Sequence, residues 1–235
     1  MLARALPLAF LLASTSGLSA PAFAQSVGDV ASPDVDAGWD ASWRTGIRPA
    51  GDGFDAALAQ RLQGQWAPNG KLHLRLGTVF TRRGDEALSF SNVFGEAMWQ
   101  THEDREAGFD AALRLDVQFS DLDRGRHRAR ATWLAQRDLN KAWRARINLS
   151  AARQFGPRAS DDIAIGTGLL INRTIVGSHR LGAEWQSDSL SKVAQAGPIV
   201  TGPIAGPWSY QGALLFAASD RAAPVELRVF VNRKF

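Results

Sequence analysis

Four histidines are the side chains with an unperturbed pKa near neutrality in this sequence, and cysteine is absent, so thiolate nucleophiles, thiolate metal sites and disulfides are excluded. His73, His102, His127 and His179 are far apart along the chain. A hydrolytic site needs a histidine held against a hydroxyl or a carboxylate. The candidate is His127, with Asp121 and Asp123 close by in sequence. No H-E-x-x-H, G-x-S-x-G or phosphate-binding loop occurs, and Gly166-Thr167-Gly168 is a G-x-G within a strand pattern, where glycine relieves crowding or curvature. The reading assigns no catalytic residue, no metal ligand and no cofactor, and the chain is not expected to be an enzyme.

Arginine is the reactive residue type that does recur with a spacing. Around Ala107 to Phe119, the residues Ala107, Phe109, Ala111, Leu113, Leu115, Val117 and Phe119 share one parity, while Asp110, Ala112, Arg114, Asp116 and Gln118 share the other. This period of two is that of a β-strand with one dry and one wet face, whereas a helix would group apolar residues three and four apart. The pattern repeats at Trp39 to Arg48, Leu72 to Phe80 and Trp143 to Ser150. Its wet face carries Arg44, Arg48, Arg75, Arg114, Arg128, Arg130, Arg144 and Arg146 with Asp110 and Asp116, joined by Arg61, Arg228, Asp40, Asp55, Glu184 and Glu226. Arg128 or Arg130 beside Arg144 or Arg146 is expected to make a basic wall facing Asp110 and Asp116.

Stretches rich in Gly, Pro, Asn, Asp and charge separate these runs, among them Pro49 to Gly53, Gln100 to Arg105, Asn172 to Gly177 and Gly202 to Pro207. Eleven such connections predict twelve strands, or ten if the Gly/Pro-interrupted stretch from Ile171 to Pro207 carries fewer. The expected fold is all-β, a closed antiparallel up-and-down transmembrane barrel over residues 37–235. If both chain ends lie on one side, Trp39, Trp66, Trp99, Trp143, Trp208 and Phe235 fall at strand ends on that side. Phe54, Phe80, Phe119, Trp185 and Phe216 fall on the other. Two aromatic girdles suit the two interfaces of a bilayer, where an amphipathic ring satisfies both its body and its polar edge.

Residues 1–24 read as a signal peptide: Arg4, the apolar run Ala5 to Leu12, and Ala22-Phe23-Ala24 before Gln25. Spanning a bilayer as a helix takes about 20 apolar residues, and Ser14 to Gly17 interrupt this run. Residues 25–36 precede the alternation and are expected to be a mobile periplasmic lead-in. The net charge of +4, one less once Arg4 leaves, is too small to argue for nucleic acid.

The chain ends on Val225-Glu226-Leu227-Arg228-Val229-Phe230-Val231-Asn232-Arg233-Lys234-Phe235, an alternating strand with an aromatic at its last position. That ending resembles the closing strand of Gram-negative outer-membrane β-barrels. The hairpin rhythm from Gly197-Pro198 through Trp208 and Tyr210 to Phe216 resembles small transporter-like barrels of the phenol-degradation-pathway type. The resemblance implies the outer membrane as location, recognition by the barrel-assembly machinery, and contact with membrane lipid and lipopolysaccharide. Arg82, Arg83, Arg124, Arg126 and Arg158 would lie near the external rim. The expected function is a porin-like passive pore for small solutes with a mild anion preference. The alternative is a non-conducting structural or assembly barrel in an envelope or polysaccharide-export complex, its charges locked in ion pairs.

Overall fold

Alternation along each segment gives a strand with one apolar edge, and such strands are stable in lipid only when every backbone group is paired, which requires closure. The computed structural model describes residues 29–51, 53–104, 106–120 and 125–235, so the expected signal peptide and residues 25–28 lie outside them. Twelve strands form a closed barrel: β1 Gly38–Arg48, β2 Ala57–Ala67, β3 Leu72–Arg83, β4 Ser89–Asp104, β5 Phe109–Ser120, β6 His127–Asp138, β7 Trp143–Phe155, β8 Ile163–Val176, β9 His179–Asp188, β10 Val193–Pro203, β11 Trp208–Ala217 and β12 Val225–Lys234. Each pairs antiparallel with its neighbours in sequence, and β1 closes on β12 with Asp40 opposite Lys234 and Ile47 opposite Leu227. Strands run from 10 residues in β9 to 16 in β4, enough for the roughly 9–11 that a tilted strand needs to cross a bilayer.

Two sequence breaks fall inside strands. β4 continues as far as Asp104, into the expected turn at Gln100 to Arg105, with a register shift between Gln100 and His102. A bulge accepts one extra residue without ending a strand, which is why polar residues there imitated a turn. β8 likewise runs through Asn172 to Val176, with a shift between Thr174 and Val176. The stretch from Ile171 to Pro207 holds the end of β8 and full-length β9 and β10, so the count is twelve, not ten.

Outward positions carry Leu76, Leu113, Leu115, Ile165, Leu181 and Val229, all exposed. A continuous apolar exterior on a closed barrel is solvated by hydrocarbon, and the chain spans a bilayer in this way. At the end of the barrel that carries both chain termini (the terminal end), Trp39 lies opposite Trp66 with rings stacked at 5.5 Å. Trp99 lies opposite Leu72, Trp143 opposite Arg173, and Trp208 opposite Arg233. The guanidinium of Arg233 sits over both Trp208 and Phe235, at 5.3 and 4.7 Å from the ring centres. At the far end Phe80 meets Phe90, and Phe119 meets Phe155, edge to face at 6.2 and 6.0 Å.

The inside of the barrel is not uniformly polar. Met98, Ala112 and Leu134 form one buried apolar cluster, and Leu170, Ile199, Ala213 and Leu215 another. Between the two clusters run residues 29–36, the described part of the expected lead-in. They pack inside the lumen, with Val30 in the second cluster and Ala31 and Val35 against the first.

Candidate functional site

Antiparallel pairing decides which inward charges meet. Arg75 on β3 bonds Glu96 on β4 at 2.7 Å and Gln65 on β2 at 2.8 Å, and Arg114 on β5 approaches the other oxygen of Glu96 at 3.8 Å. Arg130 meets Asp116 at 2.9 Å, and Arg128 reaches across to Asp188 at 3.1 Å. On the opposite wall Arg228 is buried among Glu226 at 2.7 Å, Glu184 at 3.3 Å and Gln195 at 3.2 Å. Nearer the terminal end Arg144 bonds Asp138 at 2.6 Å, and Arg146 donates to Gln136 at 2.6 Å. A buried guanidinium without a carboxylate or ring beneath it would carry a large desolvation cost, so these pairs set the interior arrangement.

Residues 29–36 enter from the terminal end. Asp36 pairs with Lys234 at the rim, Gln136 bonds both Ser32 and Asp34, and Pro33 is fully buried. Asn148, in the amide orientation its neighbours require, accepts from the Ala31 amide at 2.8 Å and donates to the Ala31 carbonyl at 3.2 Å. Gly168 lets Val30 approach, since a Cβ there would sit 3.1 Å from a Val30 methyl. At mid-lumen Asp29 bonds Arg44 at 2.8 Å. Burial pushes the Asp29 carboxyl up, but Arg44, Arg75 and Arg114 more than reverse this and hold it well below the usual carboxylate range.

Beyond Asp29 the lumen opens into a cavity lined by eight arginines and four carboxylates. Among the eight, Arg61 lies over the Phe94 ring at 3.9 Å, and Arg44 lies over Phe230 at 4.5 Å. Phe94 can take this place because Gly77 faces it: a Cβ at Gly77 would fall 2.4 Å from the ring. The positive charge of this lining attracts anions.

Of the residues singled out from sequence, Arg44, Arg48, Arg75, Arg114 and Arg130 are brought together around this cavity. Arg48 is toward the far end, donating to the Asp55 carbonyl at 3.3 Å. Arg128 and Asp116 pair as above, whereas Asp110 sits at the terminal end, opposite Gln136. Arg144 and Arg146 are also at that end. The expected basic wall therefore does not form: β6 and β7 run in opposite directions, so Arg128 lies opposite Gln154 and Arg130 opposite Ala152, far from Arg144 and Arg146. Glu96 and Asp29 escaped sequence reasoning. Glu96 alternates with inward Phe94 and Met98, which hides the wet face of β4, and Asp29 lies in a stretch with no period. His127 packs against Phe119 and Phe155 with ring centres at 5.4 and 5.2 Å. Asp121 and Asp123, its expected partners, lie outside the described residues.

The fold is that of known outer-membrane barrels. The chain is similar to an outer membrane channel from Pseudomonas putida F1 (TM-score 0.64, 10% identity, covering 88% of this chain and 98% of that one). It is also similar to the KdgM porin in complex with disordered oligogalacturonate (0.62, 11%, 83% and 99%) and to the NanC porin (0.61, 12%, 83% and 100%). No family model and no curated protein matches the sequence.

Proposed function

We propose that this chain is a passive channel of the Gram-negative outer membrane, passing small solutes with a mild preference for anions. The observation that carries the reading is the arginine-lined cavity inside a closed barrel whose terminal half is blocked by eight residues of the chain rather than by the wall. Rings of arginine lower the barrier for anions. The KdgM porin of similar fold was solved with a disordered oligogalacturonate, an acidic sugar chain, which fits this reading. Conduction then requires residues 29–36 to leave the lumen.

In this reading residues 1–24 are removed near Ala24/Gln25, both ends of the mature chain face the periplasm, and Phe235 is read by the barrel-assembly machinery. The Trp39, Trp66, Trp99, Trp143, Trp208 and Phe235 girdle marks the periplasmic interface, where Arg and aromatic side chains anchor to lipid headgroups. Arg82, Arg126 and Arg158 at the far rim meet lipopolysaccharide phosphates, which suit guanidinium geometry.

A second reading is favoured by the interlocked Arg228, Glu226, Glu184 and Gln195. It is a non-conducting structural or assembly barrel within an envelope or polysaccharide-export complex. Planar-bilayer recording under a salt gradient separates the two. A channel gives discrete openings and an anion-biased reversal potential, whereas a scaffold is silent at every salt concentration. Cation preference would overturn the arginine account while leaving a pore.

A further inference from the structure

We propose that Arg44, Arg61, Arg75 and Arg114 form a binding site for a small carboxylate, and that the Asp29 side chain is its tethered occupant, displaced when a solute carboxylate binds. The site deepens the channel reading and takes its physiological meaning from it.

Three of these arginines stand on neighbouring strands β1, β2 and β3, and Arg114 follows on β5. Arg44 and Arg61 are directly opposite each other in register, so two guanidinium groups share one level of the wall. Among the described residues, two carboxylates make ion pairs with these arginines. Glu96 belongs to the wall between β3 and β5 and is held by Arg75 and Arg114. Asp29 belongs to the removable segment and is the ion-pair partner of Arg44. No carboxylate lies at ion-pair distance from Arg61 among the described residues, and its cation rests on Phe94. Among the described residues the buried Nε atoms of Arg44 and Arg61 have no hydrogen-bond acceptor, and that of Arg114 has only the 3.8 Å approach to Glu96.

The site therefore has more donors than its resident carboxylate fills. With Asp29 gone, Arg44 and Arg61 would face each other across the register with no anion between them, an arrangement that low dielectric penalises heavily. Something anionic must take its place. All four arginines line the cavity beyond the segment, so a solute reaches them without first passing residues 29–36. A carboxylate on that solute reproduces the Asp29 contact, and once Asp29 is displaced the segment loses its deepest polar anchor. Solute and segment thus compete for one set of donors.

The test uses the full chain, folded in detergent, with acetate as probe and acetamide as its uncharged counterpart, read by titration calorimetry. Asp29→Asn removes the tethered competitor and is expected to bind acetate roughly tenfold more tightly than the wild type, as when an occupied site is vacated. Acetamide should bind neither protein, and Arg61→Gln in the Asp29→Asn background should abolish acetate binding. In the wild type, acetate should accelerate amide exchange at Val30 and Ala31. Equal acetate affinity in wild type and Asp29→Asn, acetamide matching acetate, or unchanged exchange at Val30 would overturn the proposal. Because binding is read without a membrane, its failure leaves the channel reading standing, and a silent bilayer leaves the carboxylate site standing.

Discussion

In the terminal half of the lumen, Ala31 and Val35 meet Met98 and Leu134, Val30 packs with Leu170, and Gln136 bonds Ser32 and Asp34. In the far half, eight arginines and four carboxylates surround a cavity. Among the described residues, the first half is filled mainly by apolar contact and a few hydrogen bonds, whereas the second is lined mainly by charge around the cavity, with Ala57, Ala59, Val79 and Phe94 as an apolar patch. Twelve strands alone therefore leave room inside, in line with a size between barrels of about 8 strands that side chains fill and of 16–18 that hold an aqueous channel. Closure is supplied by a segment covalently joined to the wall through β1. What distinguishes a plugged barrel from an open one here is the position of eight residues, not the number of strands.

The largest expected effect lies outside both halves and tests whether the wall stands independently of what fills it. Leu115→Arg puts a charge on the lipid face and should cost about 2–4 kcal/mol if the residue is near the bilayer midplane. Reversible unfolding from lipid vesicles measures it, and a neutral result would mean that the outward face is misassigned.

Next in size is a contrast between the halves themselves. Ala112 is fully buried beside Met98 and Leu134, so Ala112→Arg overpacks the filled half by about 1–3 kcal/mol. It should also unseat residues 29–36, read as faster amide exchange at Val35. Gln118→Arg, inward on the same strand but toward the far end, should leave that exchange unchanged. Equal exchange in the two variants would erase the distinction between a packed and an open half.

The smallest effect belongs to the partly exposed Arg144–Asp138 pair at the terminal mouth. Asp138→Asn should cost less than about 1 kcal/mol, as solvent-screened pairs do. A larger loss would mean that charge, not apolar contact, seals the terminal half.

The wall was readable in the sequence because a bilayer and a lumen impose a strict period of two. Leu113, Leu115 and Val117 against Arg114 and Asp116 leave no other arrangement. The lumen contents were not readable, for physical reasons. Met98, Leu134, Leu170 and Leu215 stand at wet-face positions and look like lapses in the pattern until Val30, Ala31 and Val35 are laid against them. Residues 29–36 have no period because they belong to neither helix nor strand, so Val30-Ala31-Ser32-Pro33 reads as a loose leader. The charges were visible but their partners were not. Which end of the barrel an arginine occupies depends on strand direction and register, and that dependence separates Arg128 and Arg130 from Arg144 and Arg146. At Gln100 and His102 a bulge imitated a turn.

The central claim, that residues 29–36 close the lumen, can be tested with a reversible lock, which the absence of native cysteine keeps unambiguous. A Cβ built at Gly168 lies 3.8 Å from the Val30 Cβ, close to the mean of about 3.8 Å across a disulfide. The double variant Val30→Cys, Gly168→Cys should therefore oxidise without moving the backbone. Single-channel recording of that protein in a planar bilayer should be silent when oxidised and should regain wild-type openings on addition of a reductant. The same conductance in the oxidised and reduced states would contradict the account.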